Sequence, residues 1–163
     1  MADRCCKLER DGVKWGSVAK GSMMLLGDYK RAIDAKGRII LPREMRQEFG
    51  TGLIVTKGLD NCLLLYPVDE WQKLVARIEG MPAGSEATRR FSRLFFSSAS
   101  HLMPDGQGRI LVPPTLREMA RLSKEVVIVG VSNKAEVWNP KRWEEYKRES
   151  SEQYDQSASE IGF

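Results

Sequence analysis

Asp34 and Asp105 stand at equivalent places in two similar stretches, Asp34-Ala35-Lys36-Gly37-Arg38 and Asp105-Gly106-Gln107-Gly108-Arg109. Two carboxylates brought together by an internal repeat are one route to a paired acid and base, because like charges in close contact force one proton to stay on. The neighbouring residues argue against that chemistry. Such dyads follow each aspartate with a small hydroxyl residue and a glycine, whereas the pairs here are Ala35-Lys36 and Gly106-Gln107. The nearby arginine would also hold each carboxylate ionised. The economical reading is that Asp34 and Asp105 orient their turns and pair with Arg38 and Arg109. His101, the sole histidine, has no hydroxyl or thiol with an acid in a recognisable setting, so it is read as a strand-edge residue. Cys5, Cys6 and Cys62 form no Cys-x-x-Cys pair, which leaves a metal without a ligand set. Neither catalysis nor a metal or other cofactor is expected.

The basic residues make a better case. Between Asp28 and Arg46 lie Lys30, Arg31, Lys36, Arg38, Arg43 and Arg46, against the acids Asp28, Asp34 and Glu44. Lys36 and Arg38 belong to a tight turn, in which Asp34 can bond its own backbone and Gly37 supplies backbone freedom; Asp105 and Gly108 do the same in the second copy. Side chains on a rigid turn project. An arginine there can give two hydrogen bonds to a guanine edge while a neighbouring lysine neutralises phosphate. A plainer role is also open: Arg38 and Arg109 can simply brace the turns against Asp34 and Asp105, and a brace can also aim a guanidinium outward.

The elements that hold these turns repeat with them. Asp34, Gly37, Arg38, Ile39, Pro42 and Arg46 match Asp105, Gly108, Arg109, Ile110, Pro113 and Arg117 at one constant offset of 71. Further on, Leu53-Ile54-Val55 answers Val126-Val127-Ile128, Gly58 answers Gly130, and Trp71 answers Trp143. Ile39-Ile40-Leu41 is a continuous apolar run, expected of a strand buried on both faces. Pro42 suits the first turn of a short helix over 42–49 that Gly50 closes. Strands follow near 53–57 and 62–66, then a helix opened by Asp69 with Trp71, Leu74, Val75 and Ile78 on one face. The second copy predicts a strand over 109–112, a helix over 113–121, strands over 125–129 and 135–138, and a last helix over 140–152 capped by Asn139 and started by Pro140. A helix over 84–98 joins the copies. Leu63 to Tyr66 and Phe91 to Phe96 read as shared core, with surplus aromatics available for subunit contact.

Domain boundaries follow: 1–23 a disordered extension, 24–79 the first repeat with its helix, 80–99 the helical connection, 100–153 the second repeat with its helix, and 154–163 a frayed tail. Translation is expected to start at Met23 or Met24. With 42% hydrophobic and 29% charged residues the chain is globular, and no apolar run reaches the roughly 18 residues that span a bilayer. No signal-peptide pattern opens the sequence, and an odd cysteine count is no disulfide framework, so a reducing cytoplasmic setting is expected. The net charge of +4 decides nothing by itself.

The module Asp-x-Lys-Gly-Arg-Ile-x-x-Pro-x-x-x-Arg resembles the AbrB-like, swapped-hairpin DNA-binding family. Two such copies, with Cys62-Leu63-Leu64-Leu65-Tyr66-Pro67 and Trp71 between them, resemble the MraZ family more specifically. So do Met24-Leu25-Leu26-Gly27-Asp28-Tyr29, Phe91-Ser92-Arg93-Leu94-Phe95-Phe96 and Val129-Gly130-Val131-Ser132-Asn133-Lys134. The resemblance implies an α+β fold: two pseudo-twofold-related, double-split β-α-β halves sharing a small β-barrel core, with flanking helices. It implies ring-shaped homo-oligomers and a nucleoid-associated regulator of the bacterial division and cell-wall gene cluster, bound to double-stranded DNA at repeats upstream of its own operon, with no membrane partner. Its DNA-facing Asp-x-x-x-Arg signature falls on Asp34 and Arg38 and on Asp105 and Arg109, and the turn residues Lys36 and Gln107 join the expected contacts. A dimeric, antitoxin-type regulator and a ring-forming protein scaffold are the alternatives. The chain departs from the family at Arg31, often His, at Gln107, where the second turn lacks the lysine, and at Arg121, commonly Gly.

Overall fold

Leu53 and Val55 are fully buried while Ile54 between them is only half-buried, and Leu63, Leu64 and Leu65 repeat the pattern on the next strand. That period of two is what a sheet with one face on a core requires. A computed structural model describes residues 24–82 and 84–163. The extension expected over 1–23 lies outside the described residues.

In chain order the elements are β1 (Asp28–Ala32), β2 (Arg38–Ile40), a 3-10 turn (Arg43–Met45), β3 (Leu53–Lys57), β4 (Leu63–Pro67), α1 (Val68–Glu79), α2 (Glu86–Ser97), β5 (Ser100–Leu102), β6 (Arg109–Leu111), α3 (Pro114–Met119), β7 (Glu125–Val131), β8 (Lys134–Trp138), α4 (Pro140–Glu152) and α5 (Tyr154–Glu160). All strand pairs are antiparallel. One sheet has six strands in the order β1-β7-β8-β4-β3-β5, and β2 pairs with β6 in a separate two-stranded ribbon. Exchanging the copies turns the six-stranded order into itself read backwards. Each copy's first strand joins the other copy's hairpin: β1 lies on β7, and β5 on β3.

The core lies between sheet and ribbon. Ile39, Leu41, Ile110 and Val112 from the ribbon and its continuation meet Leu53, Val55, Leu63, Leu65, Val126, Ile128 and Val137 from the sheet, with Met45, Phe49 and Leu116 closing the ends. On the other face Trp71 stacks on Phe95 and contacts Tyr66 and Phe96, while Trp138 packs with Trp143 and Tyr146. Thr56, the one buried polar side chain among the described residues, donates to the Phe95 carbonyl at 2.8 Å and so ties α2 to β3.

Four local expectations need correction. Ile40 is 43% exposed beside fully buried Ile39 and Leu41, because the ribbon has only one face on the core. The helix expected over 42–49 shrinks to a 3-10 turn: Pro42 stays extended (φ −52°, ψ 139°), and the following backbone bonds reach only three residues back. In the second copy Pro114, at the first helical position, presets the backbone and a true α3 forms. The barrel is joined only in part: β1 and β5 are the two edges of the six-stranded order, a single bridge from Ile33 to Ile39 links the end of β1 to β2, and the ribbon covers the core. Residues 154–160, read as tail, form the exposed helix α5. Strands β1 and β5 carry too few apolar residues to announce themselves, and they exist through pairing with the other copy.

Candidate nucleic-acid interface

Each Asp-x-x-Gly-Arg segment is a closed turn organised by its aspartate. Asp34 Oδ1 accepts from the backbone N–H groups of Lys36 and Arg38, both at 2.9 Å, and Oδ2 accepts from Arg38 Nε at 2.6 Å. Asp105 repeats the pattern with the N–H groups of Gln107 and Arg109 at 2.9 Å and with Arg109 Nε at 2.7 Å. The backbone closes as well, Gly37 N–H to the Asp34 carbonyl and Gly108 N–H to the Asp105 carbonyl. Gly37 (φ +83°) and Gly108 (φ +75°) take the left-handed conformation that an L side chain resists.

These bonds set the charges. The Arg38 N–H and then its side chain hold the Asp34 carboxyl below its ordinary range, against the opposing effect of partial burial. Asp105 is lowered to about 2, first by the Arg109 N–H and also by the Arg109 side chain. Both aspartates are therefore ionised at neutral pH and can serve neither as proton donor nor as half of a shared-proton dyad. The protein hydrogen bonds found for the Arg38 and Arg109 side chains, among the described residues, use Nε alone. That leaves the outer edge of each guanidinium, with its terminal nitrogens, for a ligand. Each arginine is thus braced through Nε while its terminal nitrogens keep their hydrogen-bonding capacity, so bracing does not use up the guanidinium. Lys36 and Gln107 are exposed at the turn tips.

The two turns are locked to each other's copy. The Leu41 N–H donates to the Gly108 carbonyl at 2.9 Å, and the Val112 N–H to the Gly37 carbonyl at 3.2 Å. Arg46 Nε bonds the Leu41 carbonyl and its side chain lies over Gly108; Arg117 Nε bonds the Val112 carbonyl and lies over Gly37. Between the turns, β2 and β6 pair with Arg38 opposite Leu111 and Ile40 opposite Arg109. Both arginines therefore sit on the solvent face of one ribbon. All eight site residues expected from sequence, Asp34, Lys36, Gly37, Arg38, Asp105, Gln107, Gly108 and Arg109, fall in these two turns flanking it. The contribution of Arg46 and Arg117 across the copies was signalled only by their place in the repeat; the exposure of Ile40 and Leu111 had no sequence signal. His101 lies on edge strand β5 and is exposed, as expected. Cys62 is buried, and burial first, then Glu136 and Asp60, pushes its thiol up to about 12, so it is no nucleophile.

The fold and site define a tandem-repeat α+β protein with interleaved copies and two arginine-bearing turns on one outward ribbon. A family model described as "MraZ protein, putative antitoxin-like" matches twice, over residues 24–94 and 95–161. The chain belongs to the MraZ family. It is 48% identical to the transcriptional regulator MraZ of Moorella thermoacetica over 85% of this chain and 96% of that protein. The proteins of the same name from Symbiobacterium thermophilum and Halothermothrix orenii are each 46% identical, over 85% and 83% of this chain and 100% and 95% of theirs. The family is one of transcriptional regulators and not of enzymes.

Proposed function

We propose that this chain is a sequence-specific DNA-binding regulator that engages short tandem repeats upstream of its own operon, in the bacterial division and cell-wall gene cluster. The observation that carries this reading is the pair of braced arginines, Arg38 and Arg109, on one outward ribbon flanked by the turns of Lys36 and Gln107. The name borne by its relatives supports it. The interleaved pairing of the copies favours the swapped-hairpin fold of AbrB-like proteins. The protein works in the cytoplasm at the nucleoid, and among the described residues no helix is long and apolar enough to cross a membrane.

One chain makes a handful of phosphate and base-edge contacts, which alone bind weakly and lose strength in salt. A ring-shaped homo-oligomer sets several such turns along one face, and tethering raises overall avidity by about 10²–10⁴. Phe91 and Leu94 of α2, 47% and 61% exposed, are assigned to the contact between subunits. The dimeric, antitoxin-type alternative uses the same turns and differs in mass, which sedimentation measures directly.

The test is fluorescence anisotropy on duplex from immediately upstream of the gene, against a scrambled duplex, at two salt concentrations. Wild type should bind the native duplex selectively and more weakly in salt. Arg38→Ala should bind far less tightly while remaining folded. Lys36→Gln should reduce the slope of log affinity against log salt by about 0.9 for each turn engaged. Unchanged binding by folded Arg38→Ala would overturn the assignment.

A further inference from the structure

The outward face of the ribbon holds two aliphatic side chains that the turns do not account for. Ile40 is 43% and Leu111 54% exposed, while their neighbours Ile39 and Ile110 are wholly buried. The register fixes their company: Arg38 faces Leu111, and Ile40 faces Arg109. The four residues make a rectangle, with arginines on one diagonal and aliphatics on the other. Its sides are about 5 Å across the ladder and about 7 Å along it. The two copies are equivalent, so the pattern is nearly unchanged when they are exchanged.

A ligand fitting this face offers hydrogen-bond acceptors and exposed methyl groups alternating within a few ångströms, on a polyanion. The major-groove edge of duplex DNA does so: guanine shows O6 and N7, and thymine shows a C5-methyl beside its O4. The groove admits a two-stranded β-ribbon, and a rectangle about 7 Å long spans about two base-pair steps of 3.4 Å. A protein partner held by apolar contact would call for a broader patch than two aliphatic side chains between cations.

We propose that Ile40 and Leu111 are specificity-determining residues that pack on thymine C5-methyl groups in the major groove, between the base edges reached by Arg38 and Arg109. This inference rests on the DNA-binding reading above and adds that the recognised site carries thymine within about two steps of guanine.

Replacing thymine by uracil removes the methyl group and leaves every hydrogen-bonding edge in place, so the test requires no change in the protein. The intact chain is titrated by anisotropy onto the upstream duplex and onto the same duplex with uracil for every thymine. Wild type should bind the uracil duplex more weakly, by about fourfold for each packed methyl group that the exchange removes. The Ile40→Ala/Leu111→Ala variant, altered only on an exposed face and checked by its thermal midpoint, should bind both duplexes alike. Arg38→Ala should weaken both and preserve the thymine-to-uracil ratio. Equal wild-type affinity for the two duplexes would overturn the methyl packing and leave DNA recognition standing, whereas no salt-sensitive binding to either would overturn both. A ratio that persists in the double variant would assign the discrimination to other residues and overturn the proposal. Unchanged DNA binding by that variant with an altered sedimenting mass would also overturn it, assigning the pair to a protein interface.

Discussion

The guanidinium of Arg117 occupies the space that a side chain on Gly37 would need: a β-carbon there would stand 2.5 Å from Arg117 Cζ. Arg46 and Gly108 have the same relation in the other direction, with 2.6 Å to Nε. Each copy therefore roofs the other copy's turn with the last arginine of its own motif. Gly37→Ala should cost about 1–2 kcal/mol from its left-handed backbone alone, and more because Arg117 must leave its bond to the Val112 carbonyl. The part due to the roof is separable. In an Arg117→Ala background the same substitution should cost less, giving a coupling of at least about 0.5 kcal/mol in urea unfolding. Gly106→Ala, in the same kind of turn with nothing within 4 Å, should be nearly neutral. Equal costs in both backgrounds would remove the roof from the account.

That relationship also marks the limit of what could be read from the sequence. The aspartate, glycine and arginine of each turn were legible because their chemistry is local: an Asp that bonds its own backbone and a Gly that turns it need no distant partner. Helix α4 was legible for the same reason, Asn139 capping it and Pro140 starting it. Strand β1 was not, because Asp28 to Ala32 is a strand only through β7, about a hundred residues away in the chain. The exposure of Ile40 was hidden too. An apolar run of three looks alike in a buried strand and in a ribbon with one wet face, and only the register of β2 on β6 distinguishes them.

The turn aspartates set an acid limit on the site. Asp105 is lowered from 3.8 to about 2, and Asp34 is lowered as well, in each case first by the backbone N–H of the turn arginine. A carboxyl whose folded pKa is depressed contributes stability that is complete above its unfolded value and lost as pH falls through the folded one. The second turn should therefore be indifferent to pH above about 4 and loosen between about 4 and 2, and the first should likewise hold above about 4 and loosen only below it. Carbon-detected NMR titration of the aspartate carboxyls should find Asp105 near 2 and Asp34 below 3.8. An Asp105 midpoint at or above 3.8 would contradict the bonding described for its turn.

Arg121 is a place where local strain can be relieved. It follows α3 with φ +52°, and its carbonyl accepts from the Asn139 side chain at 2.7 Å. Glycine holds this left-handed conformation without a β-carbon clash and is the common residue where helices end this way. Arg121→Gly keeps the backbone bond to Asn139 and should stabilise the protein by up to about 1 kcal/mol, the gain being partly offset by a looser unfolded chain. The thermal midpoint should rise, by at most about 2–4 °C. A fall would mean that the Arg121 side chain makes a contribution larger than its strain.

Because every strand of the first copy except its β3–β4 hairpin finds its partner in the second, neither half holds a complete sheet. Cut after Pro82, residues 24–82 would keep β3 on β4 but lose β7 from β1, β6 from β2, β8 from β4 and β5 from β3. A lone hairpin is at best marginally stable in water, and the fully buried Ile39 and Leu41 would be left uncovered by Ile110 and Val112. As a monomer this fragment should show no cooperative thermal transition and little amide dispersion in NMR spectra. Mixing it with residues 83–163 should restore both, since each fragment supplies the strands that the other lacks. The near-equivalence of the copies permits one substitute, a homodimer of the first fragment with one chain standing in for the second copy, and this would sediment at twice the fragment mass. A fragment that folds cooperatively as a monomer would contradict the interleaved topology, because the only sheet it could form by itself is two strands wide.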